Sequence, residues 1–144
     1  MEIFNMETPV KLACVTAASF PAGVGEAWNR LHRQFPPGEQ RRFYGISHGD
    51  KQGGIVYKAA TNELFEGEAR EAGFETFILR AGKYLGVTIM NWKQDETIIG
   101  KTFRQLLADD RIDNEAGYCA EVYLSENNVQ CLVKMKEQPE AEGG

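Results

Sequence analysis

A glutamate, Glu121, stands in the middle of a strand-like run of residues, YCAEVYLSE at positions 118–126. Strand alternation divides this run into an apolar face and a second face that carries Glu121 and Tyr123. We expect helices to cover the apolar face, which consists of Tyr118, Ala120, Val122 and Leu124. Glu121 then points to the opposite face of the sheet, which is either an ordinary solvated strand face or a partly dry groove.

In a dry groove this carboxylate has two chemical uses. Together with aromatic rings it attracts organic cations, and desolvation raises its pKa, which makes Glu121 a candidate proton donor or acceptor. Aromatic residues on or near predicted strands are candidates to line such a groove: Phe43, Tyr44, Tyr57, Tyr84, Trp92 and Tyr123. Because aromatic residues favour strands in any case, we expect about half of these side chains to pack in the core instead.

Other kinds of chemistry have no support in the motifs. His32 and His48 are far apart, and there is neither an HExxH motif nor a Cys/His cluster, so we predict no metal site and no cofactor. The segment GDKQGG at 49–54 lacks the P-loop pattern, and no GxSxG motif occurs. The three cysteines lack CxxC spacing, which favours reduced and largely buried thiols in the cytoplasm.

The length and the net charge of the chain limit how many domains it can form and which partners it can bind. A chain of 144 residues fits one domain with a real core. A net charge of −5, with basic residues dispersed along the chain, argues against direct nucleic-acid binding. There is no run long enough to span a membrane and no signal-peptide pattern. We therefore expect a cytoplasmic protein with a small organic ligand, and a protein partner or a homodimer remains open.

Hydrophobic periodicity divides the chain into two similar halves, about 10–63 and 74–136. The predicted elements of the first half are a strand at 10–18, a helix with the stripe Val24 to Phe35, and strands at 41–49 and 55–63. Those of the second half are extended segments at 74–80 and 83–91, a helix to about residue 109 with Asp95 as its N-cap, and strands at 118–126 and 128–136.

This order predicts an α+β fold built from duplicated β-α-β-β units. We expect one antiparallel sheet with two helices on one face and a cleft between the halves. Residues 1–136 form a single domain in this interpretation. The polar tail EQPEAEGG at 137–144 is expected to be disordered.

The chain resembles the GyrI-like effector-binding domain, which also forms the C-terminal domain of AraC-type and multidrug-sensing MerR-type transcription regulators. The resemblance covers residues 10–136. It rests on RFYGIS at 42–47, LRAGKYLGVTI at 79–89, and YCAEVYL followed by a turn and VQCLVKMK. Its most specific element is the acidic residue followed two positions later by tyrosine, here Glu121 and Tyr123.

The resemblance implies a small-molecule-binding module with its cleft between the halves. It implies that Glu121 lies at the base of the cleft, and that Tyr84 and Tyr44 form walls. Trp92 is added because it follows a predicted strand. No helix-turn-helix segment precedes the first predicted strand, so we expect a stand-alone module.

Three roles are implied for stand-alone members: ligand sequestration, inhibition of DNA gyrase, and hydrolysis of cyclopropane-containing toxins. Ligand binding is the leading hypothesis, and whether the protein is an enzyme stays open. An enzyme would use Glu121 as a general acid or base. A gyrase inhibitor would need an acidic patch, for which the candidates are Glu63, Glu66, Glu68 and Glu71.

Overall fold

The computed structural model describes residues 1–38 and 40–137. Within them the chain forms one antiparallel, curled sheet of eight strands, together with three α-helices. The first half contains β1 (Glu2–Met6), β2 (Val10–Thr16), α1 (Val24–Gln34), β3 (Phe43–Gly49) and β4 (Ile55–Asn62). The short α2 (Glu68–Glu71) connects it to β5 (Glu75–Leu79), β6 (Gly82–Ile89), α3 (Ile98–Leu107), β7 (Cys119–Tyr123) and β8 (Val129–Lys134). The predicted α+β class and single antiparallel sheet are confirmed.

The first half has one strand more than the sequence pattern predicts, and the two extended segments predicted at the start of the second half are the separate strands β5 and β6. Strand β1, with the sequence EIFNM, was not predicted, and including it makes each half β-β-α-β-β. A five-residue strand at the sheet edge carries too short a pattern to distinguish it from an irregular terminus. Helix α2 was also missed, because four residues are too few for a helical period.

The strand order β1-β6-β8-β7-β3-β4-β2-β5 shows how the halves are joined. The first strand of each half pairs with the second strand of the other half, β1 with β6 and β5 with β2. At the centre of the sheet, β3 of the first half pairs with β7 of the second. Through this exchange of edge strands both halves contribute to one sheet, with the β3–β7 pair at its middle.

Both long helices pack on the same face of the sheet. Helix α1 places Ala27 and Leu31 against β2 and β4 in one buried cluster. Helix α3 places Phe103 and Leu106 against Leu85 and its neighbours on β6 and β8. Helix α3 begins at Ile98 with Thr97 at the N-cap position, so the predicted N-cap Asp95 lies two residues too early. Asp95 instead accepts a hydrogen bond of 3.0 Å from the Thr97 backbone N–H.

The helices do not cover the face that the sequence pattern predicts. Tyr118, Ala120 and Val122 lie in a core cluster that contains no residue of α1 or α3. Both edges of the sheet contribute to this cluster, through Phe4 of β1 and Leu79 of β5, because the sheet curls onto itself. The prediction that helices cover the Tyr118 face is therefore wrong, and that face is neither open nor a groove. Glu121 and Tyr123 lie on the helix-covered face instead.

A nearly buried ion pair holds the connection that follows α1. Arg41 donates to both carboxylate oxygens of Glu68, to Oε1 at 2.8 Å, and the two side chains are only 12% and 11% exposed. Arg41 also donates to the Asn62 carbonyl at 3.0 Å, and the Leu64 N–H donates to Glu68 Oε1 at 2.9 Å. The pair thus joins the segment after α1 to β4 and to α2.

The predicted disordered tail falls almost entirely on residues 138–144, which lie outside the described residues. Among the helices of the described part, none has the length and apolar character needed to cross a membrane.

Candidate functional site

Glu121 is a buried carboxylate at the centre of the sheet. It lies in the middle of β7 and is 7% exposed. The Tyr57 hydroxyl donates to Glu121 Oε1 at 3.4 Å, and the Tyr123 hydroxyl donates a short hydrogen bond to the same oxygen. Burial raises the carboxyl pKa above its ordinary value, and the two hydroxyl donors oppose that rise by stabilising the charged form.

Among the described residues, the Glu121 carboxylate has hydroxyl partners but no cationic one. None of the ion pairs found between described residues involves Glu121. A buried charge without a counter-ion is costly, because desolvation is not offset by Coulomb attraction. The site is therefore arranged either to hold a proton or to receive a positive charge.

A chain of hydrogen bonds connects Glu121 to α1. Trp28 Nε1 donates to the Tyr57 hydroxyl oxygen at 3.2 Å, and Tyr57 in turn donates to Glu121. Burial is the largest cause that raises the Tyr57 pKa, followed by the Glu121 charge, so the phenol remains a protonated donor at neutral pH. The Trp28 indole thus orients the Tyr57 hydroxyl, and the Tyr57 hydroxyl orients the Glu121 carboxylate.

A cavity of about 340 Å³ opens beside this network, between the two halves. The first half contributes α1 and β3 to its walls, and the second contributes the 3-10 turn Trp92–Gln94, the end of β7 and the following turn. The lining residues are Trp28, His32, Phe43, Trp92, Lys93, Tyr123, Ser125 and Glu126.

The aromatic walls are arranged mostly edge to face. The Tyr123 ring centroid lies 5.7 Å from Trp28 and 6.0 Å from Trp92, both in T-shaped geometry. His32 meets Phe43 in the same geometry at 4.7 Å, and stacks on Trp28 at 5.6 Å. These five rings form a continuous lining, which we call the aromatic wall. Because the Tyr123 hydroxyl contacts Glu121 while its ring lines the cavity, Tyr123 connects the aromatic wall to the carboxylate.

Polar groups are present on the walls and at the rim. The Lys93 ammonium lies 5.8 Å from the centroid of the Trp92 ring, and the lining residues Ser125 and Glu126 are exposed. Two buried atoms on wall residues, His32 Nδ1 and Trp92 Nε1, have no hydrogen-bond partner within the described part of the chain. Unpaired buried polar atoms are rare in folded proteins and call for an explanation at each site.

Five of the seven predicted site residues come together. Phe43, Trp92 and Tyr123 line the cavity, while Glu121 and Tyr57 lie behind Tyr123 in the hydrogen-bond chain. Their role in binding stays a prediction, but their proximity is a feature of the structure.

The other two predicted site residues, Tyr44 and Tyr84, lie on the opposite face of the sheet. Both are buried in the cluster that contains Tyr118. The Tyr84 hydroxyl contacts the Tyr118 hydroxyl and donates to the Arg80 carbonyl at 2.7 Å. Tyr44 is cross-strand partner to Val122, one residue out of phase with Glu121. Neither tyrosine can form a wall of this cavity, because the sheet itself lies between.

Five lining residues of the cavity were not among the predicted site residues: Trp28, His32, Lys93, Ser125 and Glu126. Trp28 and His32 are four residues apart on α1, so they share one side of the helix. This spacing was the one available signal. It was obscured because Trp28 also belongs to the apolar stripe that packs on the sheet.

Three of the four glutamates named as candidates for an acidic patch have partners within the protein. Glu68 is buried against Arg41, and Glu66 pairs with Lys11 at 2.9 Å. Glu63 Oε2 accepts a hydrogen bond from the Ala69 N–H at 2.8 Å. In residues 1–38 and 40–137, no group of three or more His, Cys, Asp or Glu side chains is placed to hold a metal ion.

Solved structures share this fold at low sequence identity. An integron cassette protein from the mobile metagenome of Vibrio cholerae matches with a TM-score of 0.66 and 12% identity, over 94% of this chain and 95% of that one. SAV2435, solved bound to tetraphenylphosphonium, matches with a TM-score of 0.68 and 12% identity over 94% of both chains. A hydrolase from Listeria innocua matches with a TM-score of 0.55 and 8% identity, over 94% of this chain and 91% of that one.

No family model matches the chain, and no curated protein matches it. At these identities the structural matches show a common fold.

Proposed function

We propose that this protein binds an organic cation with aromatic groups in the cavity between its halves, with Glu121 as the counter-charge. The observation that carries the proposal is the adjacency of a buried, hydrogen-bonded carboxylate and a wall of five aromatic rings. A cavity of about 340 Å³ is at the lower end of the size range of small-molecule sites.

Two physical effects favour a cation over a neutral ligand of equal size. The faces of Trp28, Trp92 and Tyr123 carry negative charge density, and each favourable ring contact with a cation contributes about 0.5–2 kcal/mol. The charge on Glu121 acts through a region of low dielectric constant, where Coulomb attraction is stronger than in water. Both hydrogen bonds that the described residues make to this carboxylate end on Oε1, so Oε2 is the oxygen that can turn toward a ligand.

The comparisons support this class of ligand without identifying it. SAV2435, which shares the fold, binds tetraphenylphosphonium, a cation with four phenyl rings. The resemblance to GyrI-like domains extends the proposal to a cytoplasmic ligand-binding domain, comprising residues 1–136, that sequesters its ligand. A link to transcription regulation or to multidrug binding belongs to the same proposal.

The test uses two probes of matched shape and opposite charge, tetraphenylphosphonium and tetraphenylborate. Binding is followed by the fluorescence of Trp28 and Trp92, both of which line the cavity. We expect saturable binding of the phosphonium and much weaker binding of the borate. Glu121→Gln should weaken phosphonium binding by about 2 kcal/mol or more, as expected when one member of a buried charge pair is removed. Equal affinity of wild type and Glu121→Gln for the phosphonium would contradict the proposal.

A second candidate function is hydrolysis of a strained ring, favoured by the raised pKa of Glu121. In this reaction the protonated carboxyl would donate its proton to a ring carbon as the strained C–C bond breaks. Water would then add to the resulting carbocation, and its proton would return to the carboxylate. The hydrolase from Listeria innocua shares the fold. Mass spectrometry of a cyclopropane-containing toxin after incubation tests this candidate, since turnover adds one water and should be lost in Glu121→Gln.

A further inference from the structure

Gly45 lies directly under the hydrogen-bond network of the site. It is the cross-strand partner of Glu121 in the β3–β7 pair and the partner of Ala59 on β4. A Cβ atom at residue 45 would lie 2.8 Å from Glu121 Oε1 and closer still to the Tyr57 hydroxyl oxygen. The hydroxyl and the carboxylate therefore occupy the space in which any other residue would place its side chain.

The backbone does not explain the choice of glycine here. In the described part of the chain, the glycines with positive φ are Gly53, Gly67, Gly73, Gly82 and Gly117, and Gly45 is not among them. In the interior of a strand, glycine weakens the sheet relative to residues with a side chain, and it often marks a close approach of another group. The close approach of Tyr57 and Glu121 is thus the feature that accounts for glycine at this position.

We infer that Gly45 is a positioning residue of the site, whose missing side chain forms the seat that holds the Tyr57 hydroxyl against the Glu121 carboxylate. The inference rests on the proposed cation-binding function for its consequence, but the contact itself can be tested without any ligand. With the seat filled, Tyr57 loses its place over Gly45 and with it the hydrogen bond to Oε1. Trp28, which donates to the Tyr57 hydroxyl, then loses its link to the carboxylate.

The chain offers a matched control in Gly86 on β6. A Cβ atom there would lie 2.8 Å from Phe4 Cε2 and closer to Leu132 Cδ2, so this position is equally crowded. Phe4 and Leu132 belong to the core cluster on the opposite face of the sheet. Gly86→Ala therefore disturbs packing to a similar degree without touching Tyr57 or Glu121.

The experiment compares wild type, Gly45→Ala, Tyr57→Phe, the double variant of these two, and Gly86→Ala. Carbon-13 NMR of glutamate side chains follows the ionisation of Glu121 during a pH titration, with Glu121→Gln assigning the signal. The Tyr57 hydroxyl lowers the Glu121 pKa, so its displacement should raise it. We expect Gly45→Ala and Tyr57→Phe each to raise the Glu121 pKa, the double variant to add little to either, and Gly86→Ala to leave it unchanged.

Tetraphenylphosphonium binding gives the second readout, with an expected loss of about tenfold in affinity for Gly45→Ala and none for Gly86→Ala. If wild type does not bind the phosphonium, the proposed function fails while the titration still decides the role of Gly45. A folded Gly45→Ala variant with an unchanged Glu121 pKa would overturn the inference, as would additive effects in the double variant.

Failure to fold is also informative. Recovery of folding in the double variant, but not in Gly45→Ala alone, would support a clash with the hydroxyl. If neither Gly45→Ala nor the double variant folds, the sheet itself requires glycine at residue 45, whether or not the Tyr57 hydroxyl is present. That result would overturn the inference.

Discussion

The two central strands carry different residues at matching positions, Gly45 on β3 and Glu121 on β7. Gly45 pairs with Ala59 on the neighbouring strand of its half, and Glu121 pairs with Cys131 on the neighbouring strand of the other half. The strand pairing around these two positions is therefore the same in both halves. Only the second half has a carboxylate there. The first half has Gly45, which lacks the side chain that would clash with Glu121. A symmetric scaffold supports an asymmetric site.

The helices show the same difference. Trp28 and His32 of α1 line the cavity, whereas the second half contributes its 3-10 turn and the turn after β7 rather than α3. Helix α3 instead buries Phe103 and Leu106 in its own core cluster. The comparison shows that duplication of the elements creates the cleft, while single side chains decide which part of it becomes a site.

The segments that follow the two helices differ in how deeply their ion pairs are buried, and from this difference we expect the largest effect of substitution. Arg41, after α1, makes a nearly buried ion pair with Glu68. Arg111, after α3, pairs with Asp109 at 2.9 Å but is 47% exposed. Arg41→Met should lower the free energy of unfolding by about 3–5 kcal/mol, because it leaves a buried carboxylate unpaired. Arg111→Met should lower the free energy of unfolding far less, because water screens an exposed ion pair.

Urea unfolding measures both losses, and pH sharpens the contrast. Hydrogen bonding from Arg41 lowers the pKa of Glu68 below its ordinary value. The stabilisation from this carboxylate is therefore complete above the unfolded pKa and is lost as the pH falls through the lowered folded pKa. The difference in the free energy of unfolding between wild type and Arg41→Met should therefore become smaller as the pH falls through the Glu68 pKa. Equal losses for the two arginine variants would mean that the two segments do not differ as the structure indicates.

A smaller effect is expected at Glu121, whose buried charge should destabilise the second half and has no equivalent at Gly45 in the first half. Burial raises the Glu121 pKa, so between the unfolded and folded values the native state binds more protons than the unfolded state. Stability from this group is then present at low pH and lost as the pH rises through the window. Glu121→Gln cannot ionise, so its stability relative to wild type should increase with pH, by about 1.4 kcal/mol for each unit of pKa elevation.

Urea unfolding at about pH 5 and about pH 8 provides the measurement, since that interval lies above the ordinary glutamate pKa. The exposed Glu71→Gln on α2 is the control and should change stability by less than about 0.5 kcal/mol at both pH values. A pH-independent difference between wild type and Glu121→Gln would show that the carboxyl does not titrate in this range.

The smallest effect concerns the thiols near the carboxylate. Burial, and then the charge on Glu121, raises the pKa of Cys119 to about 11. Cys14 lies in the core cluster of the opposite face, and its raised pKa owes nothing to Glu121. Because the thiolate is the reactive form, Glu121→Gln should speed the labelling of Cys119 by roughly twofold to fivefold. Labelling of Cys14, followed by mass spectrometry, should not change, and a parallel increase would indicate general loosening of the fold instead.

Much of the fold was predictable from local patterns. The helical stripe from Val24 predicts α1, and the alternation in 118–126 predicts β7, because side-chain periodicity follows directly from backbone geometry. Pairing of the first strand of each half with the other half was not predictable, since β1 is short and its partner β6 is far away in sequence. Local sequence patterns do not indicate which distant strand a given strand pairs with.

The site divides in the same way. By itself the sequence determined that Glu121 shares a strand face with Tyr123 and Cys119, and that aromatic residues are available around it. Only the tertiary structure decided which face the helices cover and which aromatic residues reach the carboxylate. Both faces of β7 are buried, one under helices and one by curling of the sheet, and alternation does not distinguish two buried faces. For this reason Tyr57 lies beside Glu121, while Tyr44 and Tyr84 lie on the other side of the sheet.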